Sequence, residues 1–188
     1  MKKRFHYIFL MLVLLMTVAC DEGFDDLNIN QTAATSVNPV FSLNNSVINA
    51  SFVSTIVQNE IGIVQQMVSP NSGVLTGTNF NQDNRYGTSQ NWIRYYRTVN
   101  RFAVDVLEST KDQPTRSNLY NMARIWKAHA MMVLTDSYGD VPYVEAGKGY
   151  SEQVLLPKYD TQQAIYNDII KELTEATAAL DAAKTVET

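Results

Sequence analysis

The 188-residue chain holds one cysteine and two histidines, too few for the chemistry those residues usually bring. A lone thiol closes no intramolecular disulfide and forms no redox pair, and His6 and His129 offer no spacing of zinc ligands. With only 8 glycines and 5 prolines the sequence is neither collagen-like nor low in complexity. No run approaches the roughly 18 to 20 apolar residues of a membrane-spanning helix. Missing too are a Gly-x-Ser-x-Gly elbow, a His-Glu-x-x-His pair and a glycine-rich phosphate loop. What remains, 45% hydrophobic and 18% charged side chains, is the composition of an ordinary packed domain.

The first residues are a targeting segment rather than part of that domain. Lys2, Lys3 and Arg4 precede the short apolar run from Tyr7 to Met16, and Ala19-Cys20 follows. A cysteine directly after a small residue is the first mature position of a lipoprotein, with its thiol acylated. Thr17 departs from the usual leucine three residues earlier. Residues 1–19 are thus expected to be a lipoprotein signal peptide, and Cys20 the site of lipid attachment, palmitate included. Two or three acyl chains, at about 0.8 kcal/mol per buried methylene, anchor a protein stably. Removing residues 1–19 leaves 12 basic and 19 acidic side chains, a net charge of −7. So acidic a chain, with no basic stripe interleaved with aromatics, is not expected to bind nucleic acid. Asp21, Glu22, Asp25 and Asp26 follow the anchor as a solvated tether, residues 20–37.

Beyond the tether the periodicity is helical and strand alternation is nearly absent. Asn38-Pro39 predicts the start of a first helix whose apolar face, including Val47, Ile48, Phe52 and Ile56, continues until Ser69-Pro70. Trp92, Tyr96, Val99, Ala103 and Val106 predict a second helix over about 90–109, with the two aromatics in the core. A third, over about 115–138, would bury Leu119, Met122, Ala123, Trp126, Ala130, Val133 and Leu134, with Gly139 as left-handed C-cap and Pro142 barring continuation. His129 on its flank reads as structural. A fourth opens with the capping-box arrangement Asp160-Thr161-Gln162-Gln163 and would bury Ile165, Ile169, Leu173, Ala176 and Leu180. The expected fold is all-α, built of tetratricopeptide-like stacked helical hairpins.

The segment from Ser69 to Ser89 exceeds the ~12 to 15 residues beyond which loops in compact domains are uncommon and often functional. It is rich in amides and hydroxyls. Asn79, Asp83 and Arg85 offer hydrogen bonds to a hydroxyl-rich ligand, and Tyr86 and Trp92 offer flat faces for a sugar ring. These five are the candidate ligand-binding residues, and the loop is expected to face the ligand.

Three stretches carry a family resemblance: Asp26-Leu27-Asn28-Ile29-Asn30-Gln31, then Trp92-Ile-Arg-Tyr-Tyr96 with Asn100, then Trp126 through Leu134-Thr-Asp-Ser-Tyr-Gly-Asp-Val-Pro-Tyr143 with Glu145-Ala146. With the lipoprotein start, this order resembles the SusD/RagB nutrient-binding outer-membrane lipoproteins of Bacteroidota-type bacteria. Gln31 stands where the family usually has proline. The resemblance implies a surface-exposed lipoprotein on the cell outer membrane. It would bind oligosaccharide or peptide nutrients and deliver them to a SusC-like TonB-dependent transporter, acting as a lid on that barrel. It also gives the acidic run after Cys20 a second meaning, a signal for export to the outer face. Residues 38–188 would be the N-terminal portion of a longer helical domain. The resemblance implies no cofactor, and no metal ligand set is visible.

An enzyme is the rival class. Asp136, Asp140 and Glu145 crowd the turn after the third helix, and glycoside hydrolysis needs paired carboxylates. Residues so close in sequence more naturally cap helices and orient a turn than face each other across a cleft. The expectation is therefore binding without catalysis. A helical-repeat lipoprotein scaffold for protein partners, with no nutrient ligand, is the alternative.

Overall fold

The computed structural model describes residues 37–51, 61–66 and 85–184. The signal peptide, Cys20 and almost all of the tether lie outside these residues, as do Asn79 and Asp83. In chain order the elements are α1 (Pro39–Ala50), α2 (Arg85–Arg94), a π-helix (Tyr95–Asn100), α3 (Arg101–Thr110), a 3₁₀ turn (Pro114–Arg116), α4 (Ser117–Tyr138), β1 (Val141–Pro142), β2 (Tyr159–Asp160) and α5 (Gln162–Ala179). The fold is all-α, with two short strands among the described residues. No described helix is long and apolar enough to cross a membrane.

Local chemistry sets the helix starts. At α1 the Asn38 side chain accepts from the Val40 N–H at 3.1 Å, and Pro39 occupies the first helical position. At α5 the cap is Thr161, whose hydroxyl accepts from the Ala164 N–H at 3.3 Å. The anticipated capping box does not form, because the third helical position is then Ala164 rather than a glutamine. The Asp160 carboxylate accepts instead from the Tyr143 and Val144 N–H groups at 3.0 and 2.9 Å.

α4 packs against both α3 and α5, and α1 packs on α3 and the π-helix. One core gathers Val99, Met131, Leu134, Val141, Ile165 and Ile169; a second joins Leu43 of α1 to Val106, Leu119 and Ala123. Trp126 packs on both, and Trp92 and Tyr96 pack on the first, as the helical spacing predicts.

Several expectations are corrected. α1 ends at Ala50, because Ser51 is extended and its N–H and hydroxyl both turn back to the Ile48 carbonyl. Its buried side is Leu43 and Ser46, leaving Val47 and Ile48 exposed. Met122 and Leu180 are exposed too, Leu180 because α5 stops one residue before it. The second helix starts at Arg85, five residues early, and is interrupted by the π-helix. Gly139 has a positive φ of 77°, but its ψ of −122° lies outside the left-handed helical region. Its N–H still closes on the Thr135 carbonyl at 2.8 Å, and its own carbonyl accepts from the Thr135 hydroxyl at 2.7 Å.

Candidate functional site

Of the five sequence candidates, Trp92 is the one whose side chain is described. Arg85 and Tyr86 fall in the first turn of α2 rather than in the loop. Trp92 is half-buried and holds an aromatic cluster together. Tyr96, four residues on, lies 4.8 Å away between ring centroids; Tyr138, from the end of α4, meets it edge-on at 5.3 Å; Tyr159, from β2, stacks on it at 6.2 Å with the planes 26° apart. These separations fall in the range of favourable aromatic pairs.

Hydrogen bonds fix the rings. The Tyr96 hydroxyl donates to the Pro142 carbonyl at 2.6 Å, and the Tyr138 hydroxyl accepts from the Trp92 backbone N–H at 3.0 Å. Burial raises the Tyr96 hydroxyl above its ordinary value, and the charges of Tyr159 and Asp160 push the same way. Tyr96 therefore stays a neutral donor. The β1–β2 ladder, Val141 opposite Asp160 and Pro142 opposite Tyr159, carries Tyr159 to the cluster. Tyr159 is 65% exposed there, so its ring is a largely open flat surface.

Tyr96 also lines a cavity of about 510 Å³, shared with Arg101, Asp105, Gly147, Gly149 and Tyr150. That size suits a small-molecule ligand. Tyr150 is 94% exposed at the rim. Gly147 adopts φ 86°, and a Cβ there would lie 2.9 Å from Val104 Cγ2 and 3.3 Å from Asn100 Nδ2. Only glycine allows this turn to lie so close to α3. Beneath it Asn100, the last π-helix residue, is fully buried, and its side-chain amide has no hydrogen-bond partner among the described residues. Sequence reading missed Arg101, Asp105, Tyr150 and Tyr159 and placed Tyr96 only in the core. The available signal was Gly147-Lys-Gly149-Tyr150, two glycines beside an aromatic in a connection.

The three carboxylates at the end of α4 and in the turn after it are each engaged within the fold. Asp140 accepts from the Gln162 N–H at 2.9 Å, Glu145 accepts from the Lys158 N–H at 2.9 Å, and Asp136 accepts from the Tyr166 hydroxyl. Among the described residues no group of three His, Cys, Asp or Glu side chains is placed to hold a metal ion. His129 is exposed, its ring 5.1 Å from that of Trp126.

A family model described as "Starch-binding associating with outer membrane" matches residues 30–188. The chain belongs to the SusD-like family. Two solved structures are similar to this SusD-like chain. One, a chitin-binding protein, is 29% identical with a TM-score of 0.69, the match covering 80% of this chain and 34% of that one. The other, "Bacteroidetes AC2a SusD-like", is 28% identical with a TM-score of 0.65, covering 79% and 28%. The chain thus spans about a third of the length of these relatives. No curated protein matches it.

Proposed function

We infer that this SusD-like chain is part of a cell-surface lipoprotein that binds oligosaccharide and delivers it to a SusC-like TonB-dependent transporter without cleaving it. The observation that carries the binding reading is the aromatic surface. Tyr159, backed by Trp92, and Tyr150, beside a cavity of saccharide size, are two open rings with Tyr96 between them. The C–H face of a sugar ring stacks on such surfaces, and Arg101, Asp105 and the amides of the preceding loop suit its hydroxyls. The family's starch-binding description and the chitin-binding relative favour a glycan over a peptide. What supports a non-enzymatic reading is that Asp136, Asp140 and Glu145 are bonded to helix and turn groups, so that among these three no acid and base face each other across a cleft.

The test is calorimetric titration with malto- and chito-oligosaccharides, using circular dichroism as folding control. Tyr159→Ala and Tyr150→Ala are each expected to weaken binding by about five-fold or more, a stacked ring contributing roughly 1 kcal/mol or more. Arg85→Ala and Tyr86→Ala test the loop end in the same way. Unchanged affinity in all four folded variants would remove the site from this surface, and released shorter sugars would overturn the non-enzymatic reading. For the anchor, Cys20→Ala should move the protein from membrane to soluble fraction. Retention on outer membrane after a high-salt wash would exclude lipidation at that position. Co-purification of a large β-barrel protein with the intact lipoprotein tests the transporter partnership.

A further inference from the structure

A second cavity, of about 260 Å³, opens between α3, α4 and α5, and its lining differs from the aromatic surface. Lys111, Arg124 and Lys127 line it against Glu108, Asp168 and Glu172, so the two signs balance. Two of the pairs are closed. Lys111 meets Glu108 at 2.7 Å, and Arg124 grips Glu172 through two parallel bonds of 2.8 and 3.0 Å. Arg124 also reaches Glu175, which lies outside the lining, at 2.8 Å. Lys127 and Asp168 remain, and they do not touch: among the described residues no carboxylate lies within 4 Å of the Lys127 ammonium. Both are arranged around Tyr143 instead. The ammonium lies 5.2 Å from the centre of its ring, and Asp168 Oδ2 accepts from its hydroxyl at 2.8 Å. Burial, and after it the bond to Asp168, raises the Tyr143 hydroxyl, which stays a neutral donor. Asp168 Oδ1 meets no donor among the described residues.

With its charges balanced, the lining offers an ion of either sign as many like charges as opposite ones. What it leaves unused is hydrogen-bonding capacity: the donors of Lys127 and one acceptor of Asp168, set on the same tyrosine and too far apart to serve each other. A hydroxyl is donor and acceptor at once, and a molecule with two of them uses both groups while adding no charge. A sugar holds its hydroxyls on a rigid ring, so both bonds form for the ordering cost of one molecule. A cavity of 260 Å³ holds one such ring, not a chain of them. We propose that this cavity binds a single neutral sugar unit, one hydroxyl accepting from the Lys127 ammonium and another donating to Asp168. The unit is recognised by the same chemistry whether it is a free monosaccharide or the end of a chain leaving through the opening. The site shares no side chain with the Trp92–Tyr159 surface, so the two stand or fall separately.

Titration of the unaltered protein with glucose, galactose, mannose and N-acetylglucosamine tests the proposal, with glucuronate and glucosamine as charged comparisons. At least one neutral sugar should bind saturably and, when bound, protect Lys127 from amine acylation as read by peptide mass. Neither charged comparison should bind more tightly than that sugar. Lys127→Met and Asp168→Asn should each weaken it by about ten-fold, since a hydrogen bond to a charged group is worth that much. Should Lys127→Met not fold, Asp168→Asn and the protection of Lys127 in the unaltered protein supply the same answer. Protection by the matching disaccharide as well assigns a chain end, protection by the monosaccharide alone a free sugar, and either fulfils the proposal. No saturable binding by the four sugars, Lys127 left unprotected by the bound sugar, tighter binding of a charged comparison, or undiminished binding in the folded variants would overturn it.

Discussion

Ser46 is a polar side chain with no exposed surface, and its hydroxyl works in two directions. It donates to the Val99 carbonyl at 2.6 Å and accepts from the Trp126 indole N–H at 2.8 Å, tying α1 to the π-helix and to α4. Ser46→Ala would strand a half-buried indole N–H and a core carbonyl. The expected loss is about 1–3 kcal/mol in urea unfolding, the cost of leaving buried partners unsatisfied. Arg124 is the corresponding tie between α4 and α5, and Arg124→Ala should cost a similar amount, about 1–3 kcal/mol. Its pH dependence follows from Glu172, whose carboxyl is held below the ordinary 4.5 chiefly by the Arg124 hydrogen bond. A lowered folded value means the stabilisation is fully present above pH 4.5 and is lost as pH falls through that lower value. The stability gap between parent and Arg124→Ala should therefore be constant near neutrality and close in acid. A gap independent of pH would argue that the arginine acts through packing alone.

Among the elements, α4 and α5 are legible in the sequence because their buried positions recur at helical spacing and a turn with glycine and proline separates them. α1 is less so, since its central buried residue is a serine while two adjoining apolar residues, Val47 and Ile48, point outward. A hydrophobic stripe cannot reveal a core position filled by a hydroxyl. The π-helix is illegible for another reason: its wider turn rotates Tyr95, Val99 and Asn100 inward together without changing the residue types that helices favour. The site is divided in the same way. Trp92 belongs to a periodic helix and could be found, whereas Tyr150 and Tyr159 lie in a connection that only long-range pairing brings back. Gly147 is where that connection is most constrained. Gly147→Ala should destabilise by about 1–3 kcal/mol, through a positive φ and contact with Val104, and should also weaken oligosaccharide binding by displacing the cavity wall. Thermal unfolding with parallel titration checks both, and a fully stable variant would show that the turn relaxes freely.

At the scale of the molecule, the described surface is unusually apolar in places. Phe41 and Ile48 on α1 are 65% and 67% exposed, and Leu155 and Leu156 before β2 are 80% and 92% exposed. Neighbouring exposed apolar side chains drive association. The 188-residue chain by itself is expected to self-associate as its concentration rises, and Leu155→Ser with Leu156→Ser should reduce this without lowering the unfolding temperature. Sedimentation velocity across a concentration series measures it, and a monomer throughout would show that these side chains remain solvated.

The two-residue ladder joining Val141 and Pro142 to Tyr159 and Asp160 acts as a clasp at the base of residues 143–158. The first end of that excursion is tied to the π-helix by the Tyr96 hydroxyl on Pro142, and the two ends are tied to each other by the Asp160 carboxylate on the Tyr143 and Val144 N–H groups. Length added at the exposed tip, 150–153, would be a matter of closure entropy alone, and doubling the excursion costs only about 0.6 kcal/mol. The scaffold can thus exchange the chemistry of this face while its helices stay as they are, which makes the tip of this excursion the natural place for sequences sharing the fold to diverge in what they recognise.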